Sequence, residues 1–167
     1  TTAQRVADEH GIWTTTDSQE AWGRSPEVAL ICTPPDTHIQ LAETALAHDA
    51  HVFIEKPLSN TLSGIPEFLE RTAASSSIVM IGCNMRFHPP VAQMKEWLSA
   101  GEIGRIEYAR LRYGNHLSSW RPGDHSEHYT AQEEQGGGIV LDGIHEIDLL
   151  LELLSDQKTI QCASGTY

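Results

Sequence analysis

Short apolar runs alternate with amphipathic stretches over the first half of the chain. Val28 to Cys32 (VALIC), Val52 to Ile54 (VFI) and Ile78 to Gly82 (IVMIG) read as strands buried on both faces of a parallel sheet. Between the first two, Ile39, Ala42 and Leu46 recur at helical spacing, with Asp36 placed to cap that helix. Between the second and third, a helix starting near Thr61 or Ser63 is predicted to bury Ile65, Phe68, Leu69, Thr72 and Ala73. Pro66 is tolerated there because it falls in the first turn. Upstream, Thr2 to His10 reads as a helix stopped by Gly11, and Asp17 or Ser18 caps a brief helix through Trp22. Strand and helix joined by short connections predict right-handed βαβ units on a doubly wound parallel sheet.

The pattern changes at His88-Pro89-Pro90. Val91, Met94 and Leu98 make one more amphipathic helix, closed by Gly101. Arg105 to Gly114 alternates in character, as a strand with one wet face does, and so predicts antiparallel pairing. A polar loop from Asn115 to Gln135 carries Trp120, Arg121, His125 and His128, four residues suited to substrate contact. Gly136-Gly137-Gly138 then opens a helix, either as a tight backbone approach or as a flexible joint. Ile144, Ile147, Leu150, Leu151 and Leu154 form its apolar face; Asp142, His145 and Asp148 lie one turn apart on the other. Thr159 to Tyr167 reads as the beginning of a strand. The fold class is therefore α/β: a partial doubly wound parallel sheet, then the start of an α+β domain with a mainly antiparallel sheet.

Composition narrows the function. The chain has 167 residues, 40% of them hydrophobic, and a formal net charge of -12 with no basic cluster. That balance argues against nucleic acid and anionic membrane surfaces as partners. It leaves room for a phosphorylated cofactor, because phosphates are held by backbone N–H groups at helix starts. Cys32 and Cys83 lie in or beside apolar runs, and with Cys162 they read as thiols in a reducing compartment, the first two as small buried hydrophobes. No apolar run is long enough to span a bilayer, and cytoplasmic is the default location.

Three strand ends carry the candidate chemistry. Thr33-Pro34-Pro35, Glu55-Lys56-Pro57 and Asn84-Met85-Arg86-Phe87 share the carboxyl edge of a parallel sheet, where open α/β sheets bind ligands. Taken singly they have simpler readings: Lys56 as a strand-end partner of Glu55, His38 as a surface helix residue, Asn84 and Arg86 as turn residues. Asp142, His145 and Asp148, joined by His125 or His128, have the chemistry of a divalent-metal site, and equally that of a helix start answering its dipole.

Together these segments resemble the Gfo/Idh/MocA family of nicotinamide-dependent sugar oxidoreductases. The resemblance rests on ICTPPDTH (Ile31 to His38), HVFIEKP (His51 to Pro57), GCNMRFHPPV (Gly82 to Val91), GEIG (Gly101 to Gly104) and GGGIVLDGIHEIDLL (Gly136 to Leu150). It implies an incomplete dinucleotide-binding Rossmann domain over 1–87 and an incomplete substrate and oligomerisation domain over 88–167. It implies an NAD(P)-dependent dehydrogenase acting on CH–OH groups of a sugar, cyclitol or related polyol derivative, with NAD or NADP as cofactor and no metal. Lys56 would hydrogen-bond the substrate hydroxyl, His145 would act as acid/base and Asp142 would orient both. Thr33, Pro34, Pro35, His38, Glu55, Lys56, Pro57 and Asn84 would line the cofactor; Arg86, Trp120, Arg121, Asp142 and His145 would meet the substrate.

Two departures accompany the resemblance. The family's opening strand and glycine-rich phosphate turn are not found before His10, so the chain reads as an internal part of a longer enzyme, for which the resemblance implies a homo-oligomer, and on its own is expected to bind dinucleotide weakly or not at all. Asp142 and His145 are three apart where many members have four, which puts more weight on His145 than on Asp142. Rival readings are a metal-dependent sugar isomerase or lyase built on Asp142, His145 and Asp148, and a non-catalytic binding domain.

Overall fold

The computed structural model describes residues 2–114 and 128–154. In chain order the elements are α1 (Thr2–His10), α2 (Ser18–Trp22), β1 (Val28–Ile31), α3 (His38–Ala47), β2 (His51–Ile54), α4 (Ile65–Ala74), β3 (Val79–Ile81), α5 (Pro89–Ser99), α6 (Ile139–Asp142) and α7 (Ile144–Leu153). Short 3-10 turns sit at Pro35–Thr37, Asn84–Phe87, Tyr129–Ala131 and Glu133–Gln135. The strands form a parallel sheet in the order β1-β2-β3, with Ala29 opposite Val52 and Val52 opposite Val79. The mixed α/β class and the parallel sheet follow the alternation of runs and amphipathic stretches.

Strand periodicity explains where the core lies. Ile31, Val52 and Ile54 point to one face, and α3 and α4 cover it with Ala42, Ala45 and Phe68. Each large side chain buried in this way stabilises the fold by about 1.5–3 kcal/mol. The opposite face carries the row Leu30, Phe53, Met80, and there Leu30 is 70% exposed. Burial on both faces is therefore corrected for β1 and β3: among the described residues, helices cover one side of this sheet.

Caps account for the other local differences. Asp17 accepts a hydrogen bond from the Gln19 N–H and caps α2 as expected. Asp36, by contrast, lies inside a 3-10 turn, because Pro35 starts that turn early and α3 begins only at His38. Neither Thr61 nor Ser63 caps α4; Gly64 does so with φ of 77°, a left-handed conformation open to glycine at little cost. Cys32 is exposed and Cys83 half-buried, so the pair are not core hydrophobes: the strands end before them.

The second half departs further from its pattern. Residues 105–114 form no regular strand, since a strand exists only with a hydrogen-bonded partner and none of the described residues supplies one. The predicted final helix is broken at Gly143 into α6 and α7; a Cβ at that glycine would come within 2.8 Å of the Ile139 carbonyl oxygen. Trp120, Arg121, His125 and the 159–167 strand lie outside the described residues. No helix among the described residues is long and apolar enough to cross a membrane.

Candidate active site at the carboxyl edge of the sheet

The ladder continues just past the strands: Glu55 N–H donates to Ile31 O at 2.9 Å, and Gly82 N–H to Ile54 O at 2.7 Å. Register thereby sets Thr33, Glu55-Lys56 and the Asn84–Phe87 turn side by side. The Lys56–Pro57 peptide bond is cis, which proline permits at low cost. A cleft of about 780 Å³ opens at this edge, with Thr33, Pro34, Glu55 and Lys56 on the sheet side and Asp142, His145 and Glu146 opposite.

Lys56 crosses the cleft. Its Nζ donates to the Asp142 carbonyl oxygen at 2.8 Å and lies 3.6 Å from Asp142 Oδ1. Breaking the helix at Gly143 makes this contact available, because a helix end leaves carbonyls without an intrahelical donor. The Asp142 side chain is 8% exposed, and Lys56 is its neutralising cation. His145, at the start of α7, lines the same cleft, and its Nδ1 is enclosed with no hydrogen-bond partner. An unsatisfied buried ring nitrogen beside a lysine and a carboxylate is a group that a ligand can satisfy.

The glycine triplet delivers this wall. A Cβ on Gly137 would lie 2.5–2.7 Å from the carbonyl oxygens of Tyr129, Gln132 and Thr130, and one on Gly136 would be 2.9 Å from the Pro35 Cβ. The triplet is therefore a close backbone approach and not a loose joint. Asn60 reinforces it by donating to the Glu134 carbonyl oxygen at 3.0 Å.

Other predicted residues stand around the cleft in different roles. His38 is fully buried, which corrects its reading as a surface helix residue: Nδ1 is 2.8 Å from Pro57 O and Nε2 is 2.8 Å from Thr33 O. It ties two strand-end loops together from behind the cleft. Pro35 and Pro57 are likewise buried beneath it, and Asn84 is exposed at the head of its turn. His128 precedes the Tyr129–Ala131 turn, and it is Tyr129 that faces the cleft, along with Cys32, Met85, Tyr113 and Leu149. Sequence reading passed over these five because aromatic and apolar liners have no spacing signature; only the position of Met85 in the third strand-end segment pointed to it.

Arg86 is bound away from the cleft. Its Nε donates to Asp148 Oδ2 at 2.9 Å, Nη2 reaches Asp148 Oδ1, and Nη1 is 2.9 Å from Glu152 Oε2. The hydrogen bonds from Arg86 hold the Asp148 carboxyl below its usual range, and Asp148 in turn pushes the guanidinium higher still. Burial, with the Asp148 carboxylate alongside, raises the Cys83 thiol. Glu152, hydrogen-bonded to Lys95 of α5, is also lowered. With Asp148 on Arg86 and Asp142 on Lys56, the metal triad does not assemble, and no group of three or more candidate ligands gathers among the described residues.

Comparison with known proteins agrees with this geometry. Residues 1–83 match the family model described as an oxidoreductase family with an NAD-binding Rossmann fold, and residues 91–167 match the GFO/IDH/MocA C-terminal domain. The chain belongs to the Gfo/Idh/MocA family of oxidoreductases. It is 28% identical to a myo-inositol 2-dehydrogenase of Thermotoga maritima over 84% of this chain and 40% of that protein. It is 30% identical to a 1,5-anhydro-D-fructose reductase of Ensifer adhaerens over 93% of this chain and 47% of that one. Among solved structures, an NAD-binding protein from Listeria innocua superposes with a TM-score of 0.74 at 27% identity, covering 90% of this chain and 43% of that one. The chain thus spans about half the length or less of these relatives.

Proposed function

We propose that this Gfo/Idh/MocA protein transfers a hydride between NAD or NADP and a hydroxyl-bearing carbon of a sugar, cyclitol or related polyol derivative. The observation that carries the reading is Lys56 spanning the cleft to Asp142 with His145 on the same wall. A carbinol gives up a hydride only if its O–H proton leaves with it, so the reaction needs a base and a hydrogen-bond donor on one oxygen. His145 takes that proton in oxidation and returns it in reduction. Lys56 donates to the same oxygen and steadies its growing negative charge. Asp142, by holding the ammonium, aims it.

The bound nicotinamide supplies the hydride acceptor or donor. The enclosed, unpartnered Nδ1 of His145 and the mixed polar and apolar lining fit that end of the cofactor and its substrate. Thr33, Pro34 and Glu55, on the sheet side, would hold it, while His38, Pro35 and Pro57 set the loops it rests on. The names of the inositol dehydrogenase and anhydrofructose reductase relatives support a cyclic polyol as substrate. The same reading carries two domains (1–87 and 88–167) with substrate between them, a cytoplasmic location and a homo-oligomer. The exposed Tyr108 and partly exposed Ile106 and Leu111 support assembly through that segment.

The full-length enzyme is tested by following nicotinamide absorbance with a panel of inositols and anhydro-sugars, with and without a chelator. Absorbance change that the chelator leaves intact supports hydride transfer. Turnover that the chelator abolishes, with no change at the nicotinamide, would move the activity to the metal-dependent isomerase or lyase class.

A further inference from the structure

His145 lies midway between two anchored carboxylate residues. One turn before it, Asp142 is held by Lys56 from the end of β2; one turn after it, Asp148 is held by Arg86 from the turn that follows β3. Arg86 grips α7 at successive turns, because Asp148 and Glu152 lie on one helix face, and all three guanidinium nitrogens are engaged there. The Asp148 side chain is 10% exposed, and Lys95 approaches Glu152 from α5. The side-on fork of this guanidinium is spent on Asp148 and a further N–H on Glu152, both carboxylates of α7.

We propose that Arg86 is a positioning residue, which fixes α7 against the carboxyl edge of the sheet and so sets His145 opposite Lys56. The proposal rests on the hydride-transfer reading for its kinetic consequence but not for its structural one. Removing the cation leaves Asp148 without its partner and Glu152 held by Lys95 of α5 alone, and so releases α7 on its sheet side. His145 then loses its registry with Lys56, although every group that touches the substrate is intact. Lysine keeps the charge but not the planar fork, so it restores only part of the grip.

The test uses the full-length enzyme and the variants Arg86→Met, Arg86→Lys, Asp148→Asn and the double Arg86→Met/Asp148→Asn. Misplacing a reacting group by about 1 Å costs on the order of 100-fold, so kcat should fall about 10- to 100-fold in Arg86→Met with KM changed less than about threefold. Arg86→Lys should recover part of that loss, and the double variant should lose no more than Arg86→Met alone. A KM raised about tenfold at unchanged kcat would make Arg86 a substrate ligand and overturn the proposal. So would additive losses in the double variant, or kinetics that none of the changes moves. Amide hydrogen exchange supplies the arm that is independent of activity: residues 144–153 should exchange faster in Arg86→Met while β2 keeps its protection. Unchanged exchange in α7 overturns the grip even in an active enzyme; faster exchange supports it even if no polyol is turned over. Should Arg86→Met fail to fold, Glu152→Gln, which removes one of the two grips, is read by the same exchange experiment.

Discussion

Between Val28 and Ala74 the chain is held by apolar burial on one face of a sheet, whereas from Pro89 to Leu154 the described apolar side chains other than Val91 are partly buried or exposed, and ion pairs and hydrogen bonds to backbone carbonyls tie the segment across the cleft. Among the described residues the fully enclosed apolar side chains Ile31, Val52, Ile54 and Phe68 all lie in the first region, and the second contributes only Val91 to the buried apolar set. The second region is joined to the first through Lys56–Asp142 and Asn60–Glu134 and to the turn after β3 through Arg86–Asp148, while Leu58 and Leu62 share an apolar cleft with Ile144 and Ile147 of α7. Apolar burial is nondirectional and makes a platform; charge-assisted hydrogen bonds are directional and set an angle. A site that needs Lys56 and His145 at a fixed separation therefore uses the first kind of force to build the edge and the second to aim across it.

Changes that break the platform should exceed changes that break the alignment. Phe68→Ala removes a side chain that is 1% exposed and should cost about 3–5 kcal/mol in a denaturant titration. Gly137→Ala pushes a methyl group against three carbonyl oxygens, and overpacking of that kind costs about 1–3 kcal/mol. Its loss should show as faster hydrogen exchange in α7 with β2 unchanged. Equal losses of protection in both regions would dissolve the distinction between platform and docked wall.

Acid should separate the regions more gently. Asp148 titrates lower in the folded protein than in the unfolded chain, so its contribution is present above the unfolded carboxylate range and is lost as pH falls through the folded value. Protection of α7 should then decline below about pH 4, where an ordinary aspartate protonates, before the β2 amides respond. Asp148→Asn should remove that separate step. The smallest effect is that of salt: the exposed pair Arg5–Glu9 on α1 should contribute under about 1 kcal/mol and respond to ionic strength, while the Phe68 platform does not.

The same contrast explains what could be read from the chain beforehand. Val52, Phe53 and Ile54 announce β2 because a short continuous apolar run is a local property, and the end of that strand placed Lys56 at a ligand edge. The fate of Leu30 was not legible, because a strand residue does not carry the identity of what covers its other face. His38 was misread as exposed for a similar reason. Its two partners, Thr33 O and Pro57 O, are backbone atoms of loops that converge only in the fold. The break at Gly143 interrupts a helical pattern that runs continuously on both sides, so periodicity gave one helix where there are two. Arg86 looked like a substrate ligand because a strand-end arginine advertises charge and not the carboxylates it meets, and Asp148 and Glu152 lie far away in sequence. Contacts within one element were readable from the residues themselves; across the cleft only the family resemblance set Lys56 with Asp142 and His145.

Hydride transfer at this cleft can be followed by the isotope it carries. The full-length enzyme is given a polyol deuterated at the carbinol carbon together with oxidised nicotinamide dinucleotide, and the cofactor is then weighed by mass spectrometry. The expected result is one deuterium in the reduced nicotinamide, formed about 10²- to 10⁴-fold more slowly in Lys56→Met and in His145→Gln, the range usual for loss of a positioned acid or base. Product formed without deuterium in the nicotinamide, or at an unchanged rate in both variants, would contradict it.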